Sequence, residues 1–235
     1  MSLWWILLCG ASAHAAKSEK LWNEWYLVTR NGAPVSLFEE TAEKRGQENE
    51  IAITQNWIEN AGDRQETYIG SVSNAETLAP VAFFVERKGG KPYKTDARVK
   101  GQQLEITFKP GSPDLAKSTE LTPLGKGYYL SSILPTAIAR KFVGKAKESF
   151  AFTAVVEDGG DMNVEVKKGT VDVGTKEKKI GKENCREALV VFDGKSQEWW
   201  VTKAGKACLV VFPDSGTKME LSTEKAAKKA MKEAT

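Results

Sequence analysis

The sequence predicts a mainly β protein with one or two helices, built as a strongly curved antiparallel meander sheet or half-open barrel covered by a helix. Three observations carry that expectation: turn signals at short spacing, apolar residues that alternate along the chain between the turns, and one segment with helical apolar spacing. The turn signals are Asn31-Gly32, Ala61-Gly62-Asp63, Gly89-Gly90, Lys100-Gly101, Asp158-Gly159-Gly160-Asp161, Lys168-Gly169, Asp193-Gly194, Ala204-Gly205 and Ser215-Gly216. Such dipeptides punctuate antiparallel hairpins.

Residues 1–16, MSLWWILLCGASAHAA, carry no charged side chain, run apolar from Leu3 to Cys9, and end in small residues with Ala-x-Ala patterns. They read as a secretory signal peptide cleaved near Ala15 or Ala16, which implies a periplasmic or secreted protein. The apolar run is far short of the ~20 residues that span a bilayer, so the chain is expected not to be membrane-spanning. Residues 17–222 read as a single β-rich domain and 223–235 as a Lys/Ala-rich tail.

The first strand carries Trp22, Trp25 and Tyr26, and the third carries Trp57. Leu104, Ile106 and Phe108 oppose Gln103, Glu105 and Thr107, and Met162, Val164 and Val166 oppose Asn163, Glu165 and Lys167, the period of a sheet wet on one face. Phe150–Val156 and Ala188–Phe192 are apolar on both sides and need a cover. The predicted cover is a helix within Tyr129–Val143, where Ile133, Leu134, Ala137, Ile138 and Phe142 fall close to helical spacing, Pro135 suits the first turn, and Ser131 or Ser132 can cap. Thr223–Ala234 has good helix propensity but little apolar surface to dock it, so it is expected to be frayed.

Composition excludes more chemistry than it suggests. The only histidine is His14, inside the expected signal, so the mature chain has no imidazole for Ser-His-Asp or Cys-His catalysis or for His-containing metal sites. No catalytic residue, metal site or cofactor is expected, and the protein is read as non-enzymatic. Glu39-Glu40 reads as the cap of a solvated strand end, and Asp158 with Asp161 as turn chemistry. A net charge of +3 from 34 basic and 31 acidic residues, with no basic stripe, makes no case for nucleic acid.

Cys185 and Cys208 pull two ways. Export favours a disulfide, whereas a flat meander with Val201 opposite Ala188 and Cys208 opposite Val201 puts the cysteines two strands apart, beyond the ~7 Å Cα limit. Both outcomes stay open. Trp199 and Trp200 are adjacent on one strand, so one faces the interior and the other an outer surface.

The run WYLVTRNGAPVSLFEE, residues 25–40, resembles the N-terminal β-domains that accompany periplasmic transglutaminase-like proteins, with Ser36 and Leu37 where those carry Gly-Tyr. The C-terminal half, with Gly181 before Cys185, then Trp199-Trp200-Val201 and Gly205, is similar to periplasmic proteins related to the Lol lipoprotein-carrier fold. That resemblance implies a curved sheet around an apolar cavity that takes a lipid or a lipoprotein. The expected function is therefore an exported protein binding an apolar ligand, lipid or lipidated partner in the sheet concavity, lined by Trp57, Phe83, Ile133, Ile138 and Trp199. The alternative is an envelope protein-interaction or structural module, with a protein partner and a filled core.

Overall fold

The computed structural model describes residues 19–45, 49–61, 63–89, 92–111, 118–123, 128–142, 149–156 and 165–234. The expected signal peptide, the Asp158–Asp161 turn and the alternation at Met162 and Val164 lie outside them.

Strands β1 (Glu19–Arg30), β2 (Ala33–Arg45), β3 (Glu50–Ala61), β4 (Asp63–Asn74), β5 (Pro80–Lys88), β6 (Tyr93–Lys100), β7 (Gln103–Pro110) and β8 (Ser118–Pro123) form one antiparallel meander. After β9 (Tyr128–Leu130) and helix α1 (Leu134–Lys141), a second meander runs through β10 (Phe150–Val156), β11 (Glu165–Ile180), β12 (Glu183–Phe192), β13 (Lys195–Thr202), β14 (Ala207–Phe212) and β15 (Thr217–Ser222), and helix α2 (Glu224–Glu233) follows. β1 pairs antiparallel with β15, which fuses the meanders into one sheet, of fifteen strands among the described residues, with β8 and β9 at its edges. Among the described residues only β9 pairs parallel, to β10.

Local chemistry sets the hairpins. Asn31 and Gly32 have φ of 49° and 84°, and Arg30 pairs with Ala33, the two-residue turn whose twist matches the flanking strands. Lys168-Gly169, expected as a turn, instead lies inside β11. There a Cβ on Gly169 would collide with the Phe152 ring, which stacks near Phe192. That glycine admits an aromatic ring and makes no turn.

Register carries one inward-facing row, apolar except for Ser71, across seven strands. Ile106 faces Ala97, then Phe83, Ser71, Ile53, Ala42 and Trp22 in turn. The alternation expected for 103–108 holds, with Leu104, Ile106 and Phe108 inside. The sheet rolls until β9 reaches β5, where the Tyr128 hydroxyl donates to the Pro80 carbonyl at 3.0 Å. β6, β7 and β8 continue past that seam, so the curved sheet is a barrel left open by the ladder order.

α1 covers the concave face, as expected, but is shorter than Tyr129–Val143. Tyr129 is taken by β9, where it pairs with Ala154. Pro135 does occupy the first turn, yet the N-cap is Ile133 and neither serine caps it by a side-chain bond. The expected full cover of Ala188–Phe192 also fails on one side: Ala188 and Val190 are buried, whereas Leu189 and Val191 are 50% and 41% exposed on the outer face.

The tail helix is seated, not frayed. Thr223 caps it by accepting from the Ala226 amide, and Ala227 and Met231, four residues apart on one helix face, are buried against Leu37, Trp25, Leu27 and Ile58 on the outer side of the sheet. A single narrow apolar stripe suffices because Trp25 supplies a broad surface, with the Lys228 ammonium 5.0 Å from its ring centroid. Met231→Ala is expected to cost about 2 kcal/mol and to expose α2 to limited proteolysis; cleavage no faster than in the wild type would show that the cap and Trp25 hold the helix without it.

Candidate functional site

The residues expected to line a ligand cavity do meet. Phe83, Ile133, Ile138 and Trp199 are buried in one core cluster, with Trp57 packed against it. They meet as packing: Ile133, Ile138 and Trp199 are each at most 1% exposed. Aromatic rings extend the filling across three strands, because Tyr26 pairs with Phe38 and Phe38 with Trp57. Their centroids lie 4.8 and 3.9 Å apart, both pairs stacked. Trp199 points inward and Trp200 outward, as adjacent strand residues must.

Sequence reasoning missed a polar network inside this core. Glu40 caps no solvated strand end; it lies in mid-β2, 1% exposed, on the inner face. It accepts from Trp22 Nε1 at 3.0 Å, from Thr136 Oγ1 at 2.7 Å and from Gln55 Nε2 at 2.7 Å. Gln55 also donates to the Ser132 carbonyl at 2.9 Å and accepts from Trp57 Nε1 at 2.9 Å. The network thus ties α1 and the turn before it to β2 and β3. Burial pushes the Glu40 carboxyl above the usual carboxylate range, outweighing the hydrogen bonds from Thr136, Gln55 and Trp22 that favour its charged form.

Beside it, the Tyr26 hydroxyl donates to Glu24 Oε2 at 2.8 Å. Burial first, then the charges of Glu24 and Glu40, push the Tyr26 phenol well up, while Arg140 acts against them. The Arg140 guanidinium lies 3.6 Å from the centroid of Trp22. Glu24 Oε1 is buried without a hydrogen-bond partner among the described residues, and its nearest cation is the Lys206 ammonium at 4.0 Å. A one-residue difference in β2 separates Glu39, bonded to Asn23 near the surface, from Glu40 in the core. The only signal for this was the strand period, which puts Glu40 in phase with Phe38 and Ala42.

Cys185 and Cys208 are bridged, with Cα atoms 6.6 Å apart, and both pack on Trp200. The register differs from the one expected. Asp193-Gly194 is a two-residue turn closing Phe192 onto Lys195, so Val201 faces Arg186 and Ala188 faces Trp199. Cys185 then faces Thr202, and a register slip in β14 between the partners of Trp200 and Val201 leaves Cys208 in a bulge. Two flat interstrand spacings would separate the cysteines by about 9.6 Å. The sheet therefore bends here, as bulged strands do.

Among the described residues, cavities open at several places around this core. One of about 470 Å³ sits at the mouth beyond α1, lined by Phe142, Val173, Glu177, Arg186 and Val201 among others. One of about 590 Å³ is a groove on the outer face of the first meander, between Arg45 and Arg98. One of about 410 Å³ lies on the second meander around Ala151, Thr170 and Val191. Of the five expected lining residues only Phe83 borders any of them, and it borders the outer groove. No helix among the described residues is long and apolar enough to cross a membrane, and no group of three or more potential metal-ligating side chains occurs among them.

No protein-family model and no curated protein matches the sequence. A crystal structure of a β-barrel-like protein of the domain of unknown function DUF1849, from Brucella abortus, is similar over 86% of this chain and 95% of that chain, with a TM-score of 0.52 at 13% identity. At that identity the likeness shows the fold alone: this chain is a curved, β-barrel-like sheet with a helix in its concavity.

Proposed function

We propose that the protein is an exported, non-catalytic envelope module that keeps its concavity filled and works through its outer surface. One observation carries this reading: α1 occupies the concave face, and Ile133 and Ile138 are buried with Phe83 and Trp199 in one core cluster. A carrier of acyl chains needs an open apolar pocket of several hundred Å³ in that place. The Lol resemblance would put the ligand where these side chains sit. The cavity beyond α1 borders this core, but charged Glu177, Lys178, Lys179, Arg186 and Lys203 share its lining. Export is supported by the apolar N-terminal run and by the paired cysteines, since disulfides persist in oxidising compartments.

Native mass spectrometry of protein purified from its own envelope, with a fluorescent fatty-acid titration, tests the reading. The expected result is bare protein, cleaved near Ala15 or Ala16, with no dye binding. A co-purifying acyl chain, or saturable dye binding displaced by lipid, would restore the carrier.

A further inference from the structure

We infer that the outer groove of the first meander is a binding site for an anionic glycan chain. This rests on the reading above, in which the outer surface does the work. The floor of the groove is made of small residues where central strands meet: Ala52 pairs with Val72 and Val72 with Ala82, beside the row Thr54, Gly70 and Phe84. Gly70 has a steric reason. A Cβ there would collide with the Phe84 ring, so the ring lies down on the strand instead of standing off it. A ring so placed offers a flat apolar face along the groove, with Tyr68 tilted against it at 5.5 Å and the Lys94 ammonium 5.6 Å from its centroid.

The charges around this platform are unequal in availability. Asp96 is bound by Lys109 at 2.7 Å, and Glu105 by Lys100 at 2.6 Å. The guanidinium groups of Arg45 and Arg98, which also line the groove, are exposed and have no ion-pair partner among the described residues. Guanidinium groups are forks for carboxylate or phosphate. Arg98 is on β6 and Arg45 on β2, four interstrand steps apart, roughly 19 Å along the sheet. A ligand touching both is a chain, not a single ring.

The chemistry between the arginines selects sugar over peptide. The strands of the floor, β3, β4 and β5, are paired on both sides, so they leave no backbone edge for an extended peptide to join. A pyranose needs none. Its weakly positive C–H face suits the negative face of an aromatic ring, and in the lining Thr107 offers a hydroxyl while that of Thr54 is shared with Thr41. Uronate and phosphate groups share the chemistry that the arginines recognise.

The test is affinity electrophoresis of the purified protein in gels holding polygalacturonate, phosphomannan, neutral dextran or poly-glutamate. Retardation by polygalacturonate or phosphomannan is expected, the two arms telling carboxylate from phosphate, with no retardation by dextran. Arg45→Gln with Arg98→Gln should weaken it by about tenfold or more, and added salt should weaken it further. Phe84→Leu, which keeps apolar volume but removes the flat face, should weaken it by roughly three- to tenfold in protein whose melting curve remains cooperative. Absence of retardation by both acidic glycans, equal retardation by dextran, or binding untouched by Phe84→Leu would overturn the proposal, and retention by poly-glutamate alone would assign the groove to acidic peptides. A protein that binds no glycan and carries no lipid loses this site but keeps the module reading, whereas a co-purifying lipid ends that reading whatever the glycans do.

Discussion

Replacing both Cys185 and Cys208 by alanine is expected to lower the free energy of unfolding by about 3 kcal/mol. The bridge closes a loop with a sequence separation of 23, and the chain-entropy lost by the unfolded state for a loop of that order is worth about that much. For a chain of 235 residues it corresponds to a fall of roughly 6–12 °C in melting temperature. The effect has a location as well as a size. The bond joins β12 to β14 across β13, at the bulge where the sheet bends, and Trp200 and Leu209 pack on it. Urea melts of the oxidised wild type, the reduced wild type and the double variant check this. The last two should coincide within about 1 kcal/mol, since two buried thiols replaced by methyl groups change little packing. A double variant melting within about 2 °C of the oxidised wild type would mean that strand pairing alone holds the bend.

That region also shows what a sequence conceals. Turns, alternation and the covering helix were legible because each is a local pattern: Asn31-Gly32 dictates its own hairpin, and Leu104, Ile106 and Phe108 declare their face. Register across several strands is not local. The expected register, with Val201 opposite Ala188, requires a four-residue loop around Asp193-Gly194; the two-residue turn shifts every partner in β12 and β13 by two, and no periodicity can reveal the bulge at Cys208. Glycine was ambiguous for a related reason. Gly194 with φ of 75° makes a turn, while Gly70 and Gly169 make room for Phe84 and Phe152, and only the neighbouring strand distinguishes the two uses. Glu40 is the deepest concealment. A carboxylate in mid-strand reads as solvated until Trp22, Gln55 and Thr136, from three other elements, are brought onto it.

Glu40→Ala is the second large effect, expected to cost about 3–5 kcal/mol, because Trp22 Nε1 and Thr136 Oγ1 lose their carboxylate acceptor inside the core while Gln55 keeps the Ser132 carbonyl. Glu40→Gln separates charge from shape. Its amide nitrogen would face either Gln55 Nε2 or the Trp22 and Thr136 donors, so it costs less than alanine but is not neutral. The pH dependence distinguishes them further. Burial holds the folded-state pKa of Glu40 above its unfolded value, so the folded state binds the proton more tightly. The stabilisation that follows is complete below the unfolded pKa, about 4.3, and is lost as pH rises through the folded one. Wild type should therefore lose stability relative to Glu40→Gln over that window, narrowing the gap between them. Of the other groups facing the network, Glu24, Arg140 and Lys206 are common to both proteins, and the Tyr26 phenol, which the Glu40 charge helps to push up, titrates far above the carboxylate range. Parallel urea-midpoint profiles would show that Glu40 keeps its ordinary titration. The consequence for function is direct: these bonds tie α1 and the turn before it to β2 and β3. If they keep the concavity filled, folded Glu40→Ala protein should take up fluorescent fatty acid that the wild type refuses, and equal refusal by both would leave apolar packing as the sole restraint on α1.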